Sequence, residues 1–467
     1  MLRISNHFVS AAAVTLLLVE SLVLVGSAYL GVSLRFIDQD LAEAIKRDSM
    51  LASAITFAGV MVCSMSAFGM YQILFRESFR VTFLRLMPSC VLGFVLMTLV
   101  FYVLPDLHLG RGILGFMFVV AVPAILITRM VFFKSAQTRL LESRILFLGA
   151  GALAQECSVL AQDGRLNHKY KIVGYVPTKD QECCVPASAL LPMNFGDPLY
   201  DLAKQLNVNE IIVAVQNRRG GALPIRDLLT CKLNGIKVTD SAAFFEREAC
   251  QIRVDSLQPS WLVFGNGFDQ GFFRTLGKRA FDLIVSISVL IVAFPLLVVT
   301  ALLIYLEDRG PVFYRQERVG KDGKHFMVLK FRSMGVDAER GGTPQWAAKK
   351  DPRTTRVGRV IRLLRIDEFP QILNVLKGEM SFVGPRPERP FFVKQLCEEV
   401  PYYNVRHSIK PGITGMAQVR YHYGASVADA VQKLQYDLYY VKNNSLFLDM
   451  LILIDTLQVV ILGKGSR

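Results

Sequence analysis

The sequence predicts a membrane α-helical bundle, then an α/β domain, then a small α+β domain entered through a re-entrant membrane helix. Three observations carry this. Hydrophobic residues make up 52% of the chain and the mean hydropathy is +0.36, more apolar than a water-soluble chain of this length normally is. Four long apolar runs crowd the first third of the chain, and a fifth, interrupted by Pro295, follows near its middle. Elsewhere, β-branched runs alternate with helical stretches, or with basic segments punctuated by glycine and proline.

The apolar runs are residues 8–34, uncharged apart from Glu20, then 51–75, 86–105 and 112–133, the last holding Arg129. Each is long enough to cross ~30 Å of hydrocarbon. The first is too long for a cleaved signal peptide, and more spans follow it. Arg76, Arg80 and Arg85 fill the second loop, and Lys134, Arg139 and Arg144 follow the fourth run. The positive-inside rule therefore places the amino terminus, the second loop and everything from Lys134 in the cytoplasm. Residues 1–137 are the expected transmembrane region.

Residues 138–245 read as an α/β domain. Arg144-Ile-Leu-Phe-Leu-Gly-Ala-Gly-Ala-Leu-Ala154 runs from a strand through glycines into a helix, and further strands are expected at 171–176, 210–215 and 235–239. This is a Rossmann-like first turn with Ala154 at the third glycine position. The dinucleotide fingerprint wants an acid at the end of the second strand, and Val176-Pro-Thr-Lys179 supplies none. A structural or oligomerising domain is the favoured reading, and nucleotide binding the alternative.

Residues 246–277 form a connector. Lys278-Arg279-Ala-Phe-Asp282 then opens an apolar run to Tyr305, closed by Glu307-Asp308-Arg309. A straight crossing would carry the strongly basic chain after it to the far side, against the positive-inside rule. A helix over 278–309 that enters, breaks at Pro295 and returns satisfies both facts, because proline removes a donor and crowds the preceding turn. A fifth, kinked span is the alternative. In the remaining domain, 310–467, the final run Phe447–Leu462 is short and holds Asp449 and Asp455, which fits a helix lying on the membrane surface. The eight cysteines show no metal spacing and read as scattered thiols of a reducing compartment.

The chemistry gathers around Asp367-Glu368, adjacent acids among arginines, just before a Gly-Pro-Arg-Pro turn. Phosphoryl transfer needs neutralised phosphate oxygens, an in-line nucleophile and usually Mg²⁺, which favours one or two carboxylates plus substrate phosphates. Asp367 and Glu368 are the catalytic candidates, Asp367 also the metal ligand. An ionised carboxylate can alternatively attack phosphorus itself. Pro370 suits the first turn of a helix running to Gly378. Lys330, Arg332, Ser333, Arg386, Arg406 and Lys410 are candidate phosphate ligands. His407 has no second histidine nearby and reads as structural. A net charge of +14 suits phosphate-bearing substrates, an anionic membrane face or nucleic acid, and the hydropathy argues against the last.

Gly310–Gln316, Lys330–Met334, Asp367–Gln371, Ser381–Pro387 and Lys410–Val419, in that order, resemble the bacterial sugar transferase family, the polyprenyl-phosphate hexose-1-phosphate transferases. The match covers about 278–467. The upstream chain resembles the long form of that family found in exopolysaccharide systems. The resemblance implies transfer of a sugar 1-phosphate from a UDP-sugar, glucose or galactose, to undecaprenyl phosphate with release of UMP. It implies Mg²⁺, an aspartyl-phosphosugar intermediate on Asp367 with Glu368 as partner acid, a re-entrant helix, and a homodimer. It places the protein in the bacterial inner membrane, with the last domain on the cytoplasmic face among the membrane lipids. The family often has serine before the breaking proline, where this chain has Phe294. A non-enzymatic nucleotide sensor or scaffold for polysaccharide assembly is the competing class. An NAD-dependent sugar-modifying enzyme would need a catalytic set after the glycine turn, and none is found.

Overall fold

The computed structural model describes residues 2–4, 7–9, 11–35, 50–71, 79–107, 110–136, 142–162, 169–178, 183–192, 198–215, 223–254, 271–335, 353–421 and 426–461. Most of the connector, the loop at 36–49 and residues 72–78 lie outside them, while Arg80 and Arg85, expected in the second loop, belong to the helix that begins at Phe79. The chain forms two compact units, one of Phe8–Ala249 with Met1–Leu2, the other of Cys250–Arg467 with Arg3–His7.

The first unit opens with four helices, α1 (Ala11–Arg35), α2 (Met50–Ala67), α3 (Phe79–Val103) and α4 (Arg111–Ala136). All four are long and apolar enough to cross a membrane. Their shared core is built from Leu24, Ala28, Phe57, Met61, Met97, Met117 and Ile125. Leu22, Leu84 and Val119 point outward, as lipid-facing side chains do where lipid and core are equally apolar. Gly31 lets α1 meet α4 closely, since a Cβ there would lie 2.8 Å from the Met117 nitrogen. The two charges noted in the apolar runs find each other: Arg129 Nε donates to Glu20 Oε1 at 2.6 Å and Nη2 to Oε2 at 3.1 Å. Its Nη1 donates to the Met70 carbonyl at 2.9 Å, so the buried pair is hydrogen-bonded on every side that matters.

The α/β part has strands β1 (Glu142–Leu148), β2 (Lys169–Val176), β3 (Glu210–Val213) and β4 (Lys237–Asp240) in one parallel sheet, ordered β2-β1-β3-β4. Helices α5 (Ala152–Gln162), α6 (Leu199–Gln205), α7 (Ile225–Leu233) and α8 (Ser241–Ala249) accompany them. Strands buried on both faces explain the unbroken apolar run Ile211-Ile-Val-Ala-Val215. Gly149 sits at φ +114, the left-handed region the tight turn after β1 requires. The adjoining Ala150 carbonyl accepts the Cys184 N–H at 2.8 Å, so a later loop lies against this turn.

The second unit begins with α9 (Phe272–Asp308), a fifth helix long and apolar enough to span. Pro295 does not end it. Where a break was expected, the helix continues through the proline for 37 residues; Pro295, which removes one backbone bond and crowds the preceding turn, is the place for a bend within it. Then come the antiparallel pair β5 (Phe313–Val319) and β6 (His325–Phe331), helix α10 (Arg356–Leu363), a 3₁₀ turn at Ile366–Gln371, and α11 (Ile372–Lys377). Strand β7 (Ser381–Val383) and helix α12 (Pro390–Glu399) follow, then a 3₁₀ turn at Tyr403–Ser408 and strand β8 (Gly412–Thr414), which pairs parallel to β7. Helices α13 (Met416–Arg420), α14 (Val427–Asn443) and α15 (Leu446–Ile461) close the chain. The core here gathers Val383, Leu396, Tyr403, Leu434, Leu438 and Ile452. In α15 the acids turn inward: Asp449 is fully buried against Lys278 at 2.7 Å, and Asp455 meets Arg420 at 3.0 Å. Met450, Leu457 and Val460 are left outside. None of the eight cysteines is disulfide-bonded.

Candidate active site

The acid pair sits in the 3₁₀ turn between α10 and α11. Arg365 enters it at φ +58, a left-handed conformation that costs a non-glycine residue about 1 kcal/mol or more and that the surrounding packing must hold. Ile366 and Phe369 anchor the turn against Ile304, Phe331 and Ile361. As expected, α11 follows Pro370 and stops at Gly378, φ +88.

Glu368 is buried and crowded by cations. Arg386 Nη2 donates to its Oε1 at 2.6 Å, Lys330 Nζ lies 3.6 Å from the same oxygen, and Arg365 Nη1 lies 4.0 Å from Oε2. Burial opposes its ionisation, but Arg386 and Lys330 outweigh that and hold its carboxyl far below the usual range. Asp367 is the reverse case. It is half-buried and makes no hydrogen bond or ion pair among the described residues. Burial and the neighbouring Glu368 charge push its pKa up, against the pull of Lys330, Arg386 and Arg362. Lys330 comes from β6, opposite Tyr314 on β5, and burial pushes its ammonium pKa down.

Arg386 is held at both ends. Its Nη1 donates to Gln418 Oε1 at 2.8 Å. Its carbonyl accepts from Arg406 Nη2 at 2.9 Å. Two sequence clusters meet to place it: the Gly384 N–H donates to the Thr414 carbonyl, the Gly412 N–H to the Pro385 carbonyl, both at 2.9 Å. The approach needs glycine, because a Cβ on Gly412 would lie 2.0 Å from the Gly384 nitrogen.

Four of the eight expected site residues thus converge: Asp367, Glu368, Lys330 and Arg386. Of the other four, Arg332, Arg406 and Lys410 turn elsewhere, and Ser333 engages α10 through its backbone. The Arg332 guanidinium pairs with both carboxylate oxygens of Asp308, 2.8 Å to Oδ2, and packs over Gly310. The Ser333 carbonyl accepts the Thr355 N–H at 3.2 Å and meets the start of α10 at Gly358. Arg406 is fully committed inside, to Asp437 at 2.8 Å, Tyr403 Oη at 2.6 Å and the Arg386 carbonyl, so it supports a site residue instead of meeting phosphate. Lys410 lies beside Gly378 and Arg279, at the far end of α11 from the acids. His407 is half-buried against Tyr403, and burial with Arg406 lowers its pKa to about 4, so it is neutral at pH 7. Sequence reasoning missed Asp308 and Asp437. An acid among the aromatic and aliphatic residues of Tyr436–Val441 was the available signal for the second.

A magnesium ion fits the pair in one way only. Glu368 is taken by Arg386, and no group of three or more acids, histidines or cysteines gathers among the described residues. Asp367 alone offers uncommitted carboxylate oxygens, and one carboxylate plus substrate phosphates is an ordinary Mg²⁺ environment.

A family model described as "Bacterial sugar transferase" matches residues 273–463, the span that builds this site. A UDP-N-acetylgalactosamine-undecaprenyl-phosphate N-acetylgalactosaminephosphotransferase of Aeromonas hydrophila is 42% identical over 242 residues, 52% of this chain and 56% of that protein. An undecaprenyl-phosphate glucose phosphotransferase of Komagataeibacter xylinus is 42% identical over 196 residues, covering 41% of this chain and 37% of its own length. The exopolysaccharide production protein PSS of Rhizobium leguminosarum bv. phaseoli is 45% identical over 195 residues, 40% of this chain and 97% of PSS. The chain thus spans about half the length of the first of these relatives and less of the second. It covers PSS almost whole, and with the family match this settles the family: the chain belongs to the bacterial sugar transferases.

Proposed function

We propose that the chain transfers a sugar 1-phosphate from a UDP-sugar to undecaprenyl phosphate, the first membrane step of a glycan such as an exopolysaccharide. The observation that carries this is the division within the acid pair. Glu368 is locked as an anion by Arg386 and Lys330, while Asp367 beside it keeps its oxygens uncommitted. A nucleophile needs a free, desolvated carboxylate, and a neighbouring anion raises its basicity. An oxygen of Asp367 forms a bond to the sugar-bearing phosphorus while the bond to UMP breaks. The lipid phosphate oxygen then attacks the same phosphorus, and Asp367 leaves as carboxylate. Lys330 and Arg386 are placed to steady the charge that grows on the phosphoryl oxygens. Bound at Asp367, Mg²⁺ would supply further neutralisation of the diphosphate.

The same reading covers α9. Before Pro295, Asp282 accepts from Ser381 Oγ and the Phe382 N–H, both at 2.9 Å. After it, Leu297, Ala301 and Ile304 pack on Phe331 and Ile361. Both ends therefore rest on one small domain, while Ile291, Val292 and Phe294 between them are exposed. A spanning helix would put those ends on opposite faces, so this supports a helix that dips into one leaflet with the domain on the cytoplasmic face. The α/β part, a parallel sheet ordered β2-β1-β3-β4 with a glycine turn after β1, is read as Rossmann-like, and a structural role fits a second strand that ends in Val176-Pro-Thr-Lys179 without an acid.

The test is direct. Purified protein, undecaprenyl phosphate, Mg²⁺ and a panel of UDP-sugars should release UMP and form lipid-linked sugar diphosphate. The sequence resemblance favours UDP-glucose or UDP-galactose, and the N-acetylgalactosamine relative adds a third donor to the panel. Mass spectrometry of the protein quenched without lipid should find the phosphosugar on Asp367. An adduct on another side chain, or turnover by Asp367→Asn, overturns the assignment.

A further inference from the structure

We propose that the chain carries a second phosphate site, apart from the acid pair, at the root of α9. There Lys410 and Arg279, either side of Gly378, hold the phosphodiester headgroup of an anionic membrane lipid.

Gly378 presents no side chain, and a Cβ on it would lie 3.6 Å from Lys410 Nζ and 3.8 Å from Arg279 Nη2. Two cationic heads thus converge over bare backbone. Arg279 is fixed in place by donating to the Val375 and Leu376 carbonyls at 2.6 and 2.7 Å, which orients its charge without neutralising it. Lys410 has no hydrogen bond or ion pair among the described residues. Burial, then Arg279, and then Lys321 and Lys278, all work against its charge, and Asp282 alone favours it. That carboxylate is already occupied by Ser381 and the Phe382 N–H, and Lys278 is matched by Asp449. A half-buried ammonium left among like charges is expensive, and a bound anion removes the expense.

The surroundings choose the anion. The turns of α9 that neighbour Arg279 expose Phe272, Phe273 and Leu276 before it in the chain and Ile284 and Ile287 after it. Cations at the root of a helix that exposes apolar side chains are what a bilayer interface selects, and a phosphate ester attached to acyl chains satisfies both. A free nucleotide uses only the charge. The acid pair answers to different cations, namely Lys330, Arg386, Arg362 and Arg365. Arg279 is unsuitable for mutation because it also caps α11, whereas Lys410 holds nothing else together.

The full chain, purified in detergent, is titrated with phosphatidylglycerol or phosphatidylcholine, and native mass spectrometry counts the bound lipid. UMP and inorganic phosphate are added in separate arms. The wild type should prefer phosphatidylglycerol, Lys410→Gln should weaken its binding about fivefold, and Lys410→Arg should restore it. Asp367→Asn should bind lipid like the wild type, so this site and the transferase reading can fail separately. Equal binding by Lys410→Gln overturns the proposal, as does displacement of the lipid by UMP or inorganic phosphate. Should Lys410→Gln fail to fold, Lys321→Gln on an exposed side chain is read instead, with about a twofold loss expected and no change counting against the site.

Discussion

Two carboxylate–arginine sites in this chain pair the same groups and differ in what they leave over. In the helical bundle, Glu20 has both oxygens engaged by Arg129, and the third nitrogen of Arg129 donates to the Met70 carbonyl. In the α+β domain, Arg386 and Lys330 satisfy Glu368, and the adjacent Asp367 has no direct partner among the described residues. The first site is closed, and its charges do no more than hold helices together. The second is closed around one acid and open at the other. A matched buried pair is thus structural, and a surplus carboxylate beside it marks chemistry.

The largest effect should come from the surplus acid. Asp367→Asn is expected to reduce transfer about 10⁴-fold with assembly intact, read as UMP release beside a size-exclusion profile. The bundle pair should behave oppositely. Glu20→Gln leaves Arg129 buried and uncompensated, at a cost of about 3–5 kcal/mol. Its signature is poor recovery and a lowered melting midpoint, with normal turnover by whatever protein assembles. If Glu20→Gln lowered turnover per assembled molecule, the contrast between the two sites would collapse.

Intermediate effects sharpen the open site. Arg386→Lys keeps the charge but cannot bridge Glu368 and Gln418 together, so kcat/KM should fall about 100-fold. Arg406 never reaches the acids, yet it fixes the Arg386 carbonyl. Arg406→Lys should therefore cost about tenfold, mainly in kcat, and should remove most of the further penalty of Arg386→Lys in the double variant. Additive losses would mean that Arg406 acts on its own.

How much of this could be read from the residues follows from distance along the chain. The apolar runs and β-branched strands are local patterns, and they appear where the sequence puts them. That Gly-Pro-Arg-Pro meets Pro411-Gly-Ile-Thr-Gly415 could be guessed from glycines with no local reason to be there. What could not be read was which cation meets which acid. Arg332 and Arg406 sit in basic clusters that look made for phosphate, but Asp308 and Asp437 claim them from 24 and 31 residues away. Nothing local announces such a partner. That α9 continues past Pro295 was not legible either, because whether a proline ends a helix or only bends it depends on what packs on both sides.

The pair also divides by pH. Asp367 must be ionised to attack, and burial together with the Glu368 charge raises its pKa, so turnover should rise with pH along an acidic limb set by Asp367. Glu368→Gln removes the repulsion and should move that limb to lower pH, whatever it does to the maximum rate. Lys330→Met removes a favourable charge and should move it higher. A limb that stays put in both variants would belong to another group.

The smallest expected effect concerns stability and has opposite signs for the two acids. Glu368 has a folded pKa below its unfolded value. Its contribution is therefore present above about pH 4.3 and is lost as pH falls through the folded pKa. Asp367 has a folded pKa above its unfolded value, so the folded state binds the proton more readily and ionisation works against folding. That cost is complete above the folded pKa and vanishes below about pH 3.9. Asp367→Asn should therefore raise the melting midpoint at pH 7.5 by about 2 °C, and the gain should fade as the buffer is taken towards pH 4. Glu20→Gln, by the same measurement, should lower the midpoint at both pH values, because the closed site has no surplus charge to relieve. An Asp367→Asn protein less stable than the wild type at pH 7.5 would mean that Asp367 is already satisfied in the folded chain, and the distinction between a closed and an open acid would be lost.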